Sequence, residues 1–408
     1  MNDDFKDTEI GKIPKEWEIV NLNNIADYYN GYPFKPTQWK TLGTPIIRIQ
    51  NLTGSSNVIN YFDGLLDSRY KISNGDLLLS WSATLNVYIW HGSDAYLNQH
   101  IFKVLPKKLI DKLYLYYVLG IVISKLKNQV HGSTMKHFVK SALSLVYIPL
   151  PPLEEQKRIA YVLSKIRNAI DIQTQLIKLL QDLKKSMMHK LFTEGIGHTE
   201  FKDTEIGRIP KEWEIKALKD IGNIITGKTP SKSNSEYWLN GKIEFIKPPD
   251  LNNNIITTYS EMISESAKNK ASIVPKNSVL VSCIGIIGRV GYANKEIAFN
   301  QQINGLVLNN KIAYYLFIFY ILQYERKQYE ILASKTTVPI INKSKFSMIS
   351  IPLPSLEEQK KIAYILSTID DKISIETKRK EFFEKLFKTM LNKLMSGQIR
   401  TKNIGVIQ

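Results

Sequence analysis

The chain has 408 residues, more than one ordinary hydrophobic core organises, so two or more domains are expected. With 43% hydrophobic and 23% charged residues it reads as globular rather than disordered, fibrous or membrane-embedded. Lys and Arg number 55 against 38 Asp and Glu, a formal net charge of +17, which makes nucleic acid the leading partner.

The opening MNDDFKDTEI lacks the apolar core of a signal peptide, and the apolar runs 113–123 and 312–322 are too short to cross a bilayer. A cytoplasmic location without membrane contact is expected. Cys283 is the single cysteine, which excludes an internal disulfide and a thiolate metal cluster.

From residue 5 onward the chain repeats itself. FKDTEIGKIPKEWEI at 5–19 returns as FKDTEIGRIPKEWEI at 201–215, with Lys12 against Arg208 the one difference. IPLPPLEEQKRIAYVLSKI at 148–166 matches IPLPSLEEQKKIAYILSTI at 351–369, while the segments between these motifs differ in length and in most of their sequence. A repeat of domain size implies two similarly built domains with different inserts, related by approximate rotation. Inside the inserts, NGDLLLS at 74–80 parallels NSVLVS at 277–282 as a turn followed by an apolar strand, and GTPIIRIQNL at 43–52 parallels GKIEFIKPPDL at 241–251.

After each Pro-rich hinge, residues 153–194 and 356–396 run without Gly or Pro and predict long helices of about 60 Å. Steps of four and three trace a seam through Ile159, Leu163, Ile166, Ile170, Gln173, Ile177, Leu180, Lys184, Met187 and Leu191. The second seam takes Ile362, Leu366, Ile369, Ile373, Glu376, Lys380, Phe383, Phe387, Met390 and Leu394. So narrow a seam on long, charged helices favours pairing of the two over separate burial in two cores. Gln173, Glu376 and Lys380 interrupt the seams near their middles, where polar residues fix register. Residues 153–195 carry 8 basic and 5 acidic side chains and residues 356–400 carry 10 and 7, so about +11 of the charge lies elsewhere, chiefly in the inserts. The inserts are therefore the expected phosphate-facing surfaces.

The FKDTEIGxIPKEWE openings, the IPLPxLEEQKxIAxxLSxI helix starts, the GSTM and KTTV segments before them, and TGKTPSKSNSEYWLNG resemble the DNA-specificity subunits of type I restriction-modification systems. The resemblance implies an α+β chain with two mixed α/β target-recognition domains related by pseudo-two-fold symmetry and joined by two long antiparallel coiled-coil helices. The expected division is 1–150 for the first domain, 151–196 for the first spacer helix, 197–350 for the second domain, 351–400 for the second helix and 401–408 for a tail. It further implies recognition of bipartite double-stranded DNA and a seat for two methyltransferase (M) subunits together with restriction (R) subunits. S-adenosylmethionine, ATP and Mg would belong to those partners, with no cofactor or metal on this chain. A stand-alone two-headed DNA-binding protein is the alternative without partners.

If the halves read different sequences, shared residues cannot carry the difference. Asn98 with Asn300, Gln99 with Gln301, Ser80 with Ser282 and Thr134 with Thr337 are accordingly assigned to packing or phosphate positioning. Base readers are expected among polar residues that differ: Arg69, Lys71, Trp81, Thr84, Asn86, His91, His131 and Lys136 in the first insert; Lys228, Ser231, Lys232, Arg289, Lys335 and Asn342 in the second. Arg and Lys suit guanine O6 and N7, and Asn suits adenine N6 and N7. Arg48 aligns with Lys247 and Asn51 with Asp250, which adds Arg48 and Lys247 to the candidates.

Other chemistries find less support. GNIITGKT at 222–229 satisfies the phosphate-cradling pattern of P-loop NTPases, but a charged amphipathic lead precedes it, and Pro230 with Ser231 and Ser233 continues as loop. Lys228 and Thr229 read instead as DNA contacts on a Gly-turned loop. Neither Lys247-Pro248-Pro249-Asp250 nor Leu150-Pro151-Pro152-Leu153 has the flanks of an amino-methyltransferase tetrad, and Gly285, Gly288 and Gly291 do not form GxGxxG. His91, His131 and His137 lack zinc-ligand spacing. The chain is expected to recognise rather than to react.

Overall fold

The computed structural model describes residues 4–401 apart from 83, 130–142, 144, 258 and 335–337. The chain forms two compact units, Met1–Gln173 with Arg379–Gln408, and Thr174–Lys378. This division falls inside both long helices, Leu153–Thr193 and Leu356–Met395, and not at the hinges before them. Each unit therefore owns one end of each helix.

In the first unit a hairpin, Phe5–Lys6 with Ile13–Pro14, precedes Glu18–Asn21, which pairs antiparallel with Tyr147–Leu150 just before the first long helix. Between them lie two four-stranded sheets. One runs Asn60–Phe62, Thr44–Ile47, Ala95–Leu97, Lys71–Ile72, and the other runs Ala26–Asn30, Ile101–Pro106, Leu77–Ser80, Asn86–Ile89. Leu77 and Leu79 face the core beneath the helix Lys112–Gln129, whereas Leu78 faces Ile47, Ile72 and Leu97 of the other sheet. Covered on both faces, this strand has no polar alternation, which is why it reads as an unbroken apolar run.

The second unit repeats the plan. Glu261–Ile263, Ile243–Ile246, Ile297–Phe299 and Ser272–Val274 form one sheet; Gly222–Thr226, Ile303–Leu308, Val279–Ser282, Val290–Tyr292 and the added Asn254–Ile255 form the other. Val279 and Val281 face one core and Leu280 the other, as in the first unit. Where the first unit has Lys112–Gln129, the second has Tyr315–Tyr324 and Arg326–Leu332, broken at Glu325.

In each unit the start of one long helix meets the end of the other, an antiparallel arrangement. Ile159 and Leu163 join Leu394 and Met395 in the first core; Ile362, Ala363 and Leu366 join Leu191 and Phe192 in the second. The outer seam residues thus serve as module core, so the helices are both paired and built into the modules. The remaining seam residues, Ile166, Ile170, Ile177, Leu180, Met187, Ile369, Ile373, Phe383, Phe387 and Met390, are buried or half-buried. Of the polar interruptions, Gln173 and Glu376 are buried, Glu376 sits 2.6 Å from Lys372, and Lys184 pairs with Asp370 at 2.7 Å.

The repeated motifs fasten module to helix. Gln156 donates from Nε2 to the Leu109 and Pro151 carbonyls, at 3.1 and 2.8 Å, and accepts from the Asp111 amide. Gln359 does the same with Ile312, Pro354 and Tyr314. The Trp17 and Trp213 indoles each donate at 3.0 Å to a carboxylate, Glu155 and Glu358. The chain just beyond the end of the opposite helix then adds a side-chain nitrogen: Arg400 on Glu155 and His198 on Glu358. To reach back, the chain turns through Gly195 at φ 65° and Gly397 at φ 72°, where a side chain would be strained.

Candidate nucleic-acid interface

In both modules the candidate loops leave the end of a parallel strand pair in the first-described sheet. The first-module pair is Thr44–Ile47 with Ala95–Leu97, and the second is Ile243–Ile246 with Ile297–Phe299. The Asn98 and Asn300 amides donate to the carbonyls of Ile47 and Ile246, pinning each crossover loop beside Arg48 or Lys247. Gly31 and Gly227 pass so close to the same loops that a Cβ would strike the Asn98 or Asn300 carbonyl. The Gly227 of the GKT run is therefore required by backbone crossing. Residues Gly222–Thr226 form an antiparallel strand against Ile303–Leu308, and the Lys228 amide donates to Phe299. With these amides engaged and no helix before the single turn at Ser235–Tyr237, the P-loop reading is excluded.

Shared residues build the frame and differing residues ride on it. The Ser80 hydroxyl bonds the Thr84 carbonyl and receives the Asn86 amide at 3.0 Å. Ser282 likewise bonds the Ile286 carbonyl at 2.5 Å and receives the Arg289 amide at 3.0 Å. Buried serines thus present Asn86 and Arg289 from one structural position. Tyr32 and Lys228 are a second such pair, their amides donating to Leu97 and Phe299. Arg48 and Lys247 are a third: their amides are capped by Asn51 Oδ1 at 3.0 Å and Asp250 Oδ2 at 2.8 Å. The alignment of Asn51 with Asp250 is thereby explained as turn closure.

The first-module surface is aromatic and cationic. Arg48 lies 4.6 Å from the Trp39 ring centre, and Arg69 lies 4.7 Å from that of Tyr70 while donating to its hydroxyl. Tyr70 packs edge-on against Tyr32, and Tyr32 against Phe34. In the second module Thr229 bonds Gln301, Arg289 reaches the Pro248 carbonyl, and Glu261 joins Lys232 and Lys247. Lys232 also stands 3.3 Å from the Trp238 ring centre. Ser231 is exposed, its hydroxyl on Ser233.

Several candidates lie outside this arrangement. Lys71 is paired with Asp94 at 2.7 Å, which holds the Asp94 carboxyl below its ordinary range and the lysine above its own. His91 follows the strand end where the Trp90 carbonyl meets the Gly75 amide, opposite the end that carries Asn86. The Trp81 ring packs on His100 and Phe102 at the margin of the core. Asn342 caps the short helix Lys343–Ser347, accepting from the Lys345 amide at 2.8 Å, a structural use for its oxygen. Thr84 is exposed, with its carbonyl engaged by Ser80. His131, Lys136, Lys335, Thr134 and Thr337 lie outside the described residues. Sequence comparison of the inserts missed Tyr32, Asn60 and Glu261, whose equivalence to one another or to chosen residues needs strand register. Among the described residues no three His, Cys, Asp or Glu side chains form a metal-binding group.

This is a duplicated recognition scaffold of constant frame and variable tips. Residues 14–182 and 210–385 each match the type I restriction modification DNA specificity domain, so the chain belongs to that family and is a recognition subunit, not a catalytic one. It is 33% identical to the putative type I restriction enzyme MjaX specificity subunit of Methanocaldococcus jannaschii, over 98% of this chain and 97% of the relative. It is 31% identical to the MjaVIII specificity subunit of the same organism, over 99% and 97%. The crystal structure of the type I restriction-modification S subunit from M. genitalium superposes with a TM-score of 0.63 at 18% identity, covering 93% of this chain and 96% of that one.

Proposed function

We propose that the chain recognises a bipartite duplex-DNA target, one half-sequence per module, and positions two M subunits, and R subunits with them, on that site in the cytoplasm. The observation that carries this reading is the pair Ser80 and Ser282. Identical buried hydroxyls accept the backbone amides of Asn86 in one module and Arg289 in the other, residues whose side chains suit adenine and guanine respectively. A frame that is constant beneath side chains that change is what two readers of different half-sequences require.

A seat for helical partners is supported by apolar side chains left outside the seam. Ile172 and Phe382 of the first unit are 63% and 62% exposed, and Leu179 and Ile375 of the second are 65% and 54% exposed. In repeat register Ile172 corresponds to Ile375 and Leu179 to Phe382, so each long helix offers the same outer pair. S-adenosylmethionine, ATP and Mg are assigned to the partner subunits. Base-resolution methylation mapping of a host with and without this gene tests the reading. Loss of methylation at two short blocks separated by a fixed gap is expected; loss at one contiguous block, or no change, contradicts it.

A further inference from the structure

The strand register brings Asn60 and Glu261 to the same position. Asn60 pairs with Ile46, two residues before Arg48, and Glu261 pairs with Phe245, two residues before Lys247. From that position each side chain reaches the equivalent cation. Asn60 Oδ1 accepts from Arg48 Nη1 at 3.3 Å, and Glu261 Oε1 lies 3.1 Å from Lys247 Nζ. The partners differ in charge. Arg48 has no carboxylate within ion-pair distance among the described residues, whereas Glu261 binds both Lys247 and Lys232, the latter at 2.6 Å. Burial pushes the Glu261 carboxyl up, but the two lysines outweigh it and hold it below its ordinary range.

We infer that the Asn60/Glu261 position sets how strongly each module grips DNA phosphates independently of sequence, with Glu261 acting as a built-in competitor of phosphate for Lys232 and Lys247. The inference rests on the proposed DNA-facing role of these loops. A phosphate approaching the second module must displace a carboxylate already in place, so the patch presents one positive charge fewer than its lysines supply. The first module, with neutral Asn60, keeps the full charge of Arg48. Glu261 acts through two lysines and does not itself need to touch DNA.

The test uses the full chain and a duplex of random sequence, with affinity measured by fluorescence anisotropy between about 50 and 200 mM salt. Glu261→Gln should steepen the slope of log K against log salt by about 0.9, the equivalent of one further phosphate, and Asn60→Glu should flatten it by about as much. Over that fourfold salt range each shift amounts to about a 3.5-fold change in the affinity ratio. Lys247→Ala should cost more affinity in the Glu261→Gln background than in the unchanged chain. A salt-dependent parent whose slope is unaltered by both Glu261→Gln and Asn60→Glu overturns the inference alone. A parent that binds duplex without salt dependence overturns the DNA-facing reading on which it stands. Circular dichroism melts of both variants establish that the compared proteins are folded.

Discussion

A carboxylate buried beneath an indole needs a cation, and Glu155 obtains one from the opposite end of the sequence. Burial pushes its carboxyl up, yet hydrogen bonds from Arg400 and Trp17, with the charge of Arg400, outweigh that and hold it below its ordinary value. A depressed carboxyl contributes stability above its unfolded pKa and loses it as the pH falls through the folded one. Arg400→Met should therefore cost about 2–3 kcal/mol at neutral pH, with the deficit shrinking as the pH falls below the ordinary carboxylate range, where a neutral Glu155 needs no cation. Urea unfolding at the two pH values checks this. Asn342 offers the contrasting case of a polar residue used for capping: Asn342→Ala should lower stability by about 1 kcal/mol and leave the selected DNA sequence unchanged. A changed sequence preference would return it to the base readers.

At the scale of elements, the long helices were the most legible part of the chain. Residues 153–194 and 356–396 were expected, and Leu153–Thr193 and Leu356–Met395 are observed. Periodicity and the absence of Gly and Pro suffice for such helices because their burial repeats every turn. The role of their ends was hidden, since Leu394 inside the first core and Leu191 inside the second depend on contacts far apart in sequence. The tip loops were legible only as differences between the halves. Ser80 and Ser282 could be assigned to the frame from their identity, but the correspondence of Asn86 with Arg289, or of Asn60 with Glu261, lies in hydrogen bonds and register that diverged sequences do not display. Buried Glu376 yields a prediction here. Glu376→Leu removes the cost of holding a charge in the seam and should raise the denaturant midpoint by the equivalent of about 1 kcal/mol or more. A large loss instead would mean that its ion pair with Lys372 is a net support.

For the whole molecule, the helices are proposed to act as a ruler between two readers. Inserting one heptad after Gln173 and another after Glu376 keeps the seam in phase and adds about 10 Å to each helix. That equals roughly 3 bp of duplex, with about 100° of rotation around its axis. The insertion variant should select the same two half-sequences with a longer gap, or hold single half-sites weakly. Selection of the original gap at full affinity would show that the helices do not set the distance.

Each module is proposed to read its own half-sequence through side chains carried on a common frame. That proposal is tested most directly by selecting binding sites from random duplexes with the full chain, with Asn86→Ala and with Arg289→Ala. The unchanged chain should return two short conserved blocks. Asn86→Ala should make one block degenerate and Arg289→Ala the other, each by about 1–3 kcal/mol of lost discrimination at one base pair. If either substitution relaxes both blocks together, or if the unchanged chain returns a single block, the modules are not independent readers.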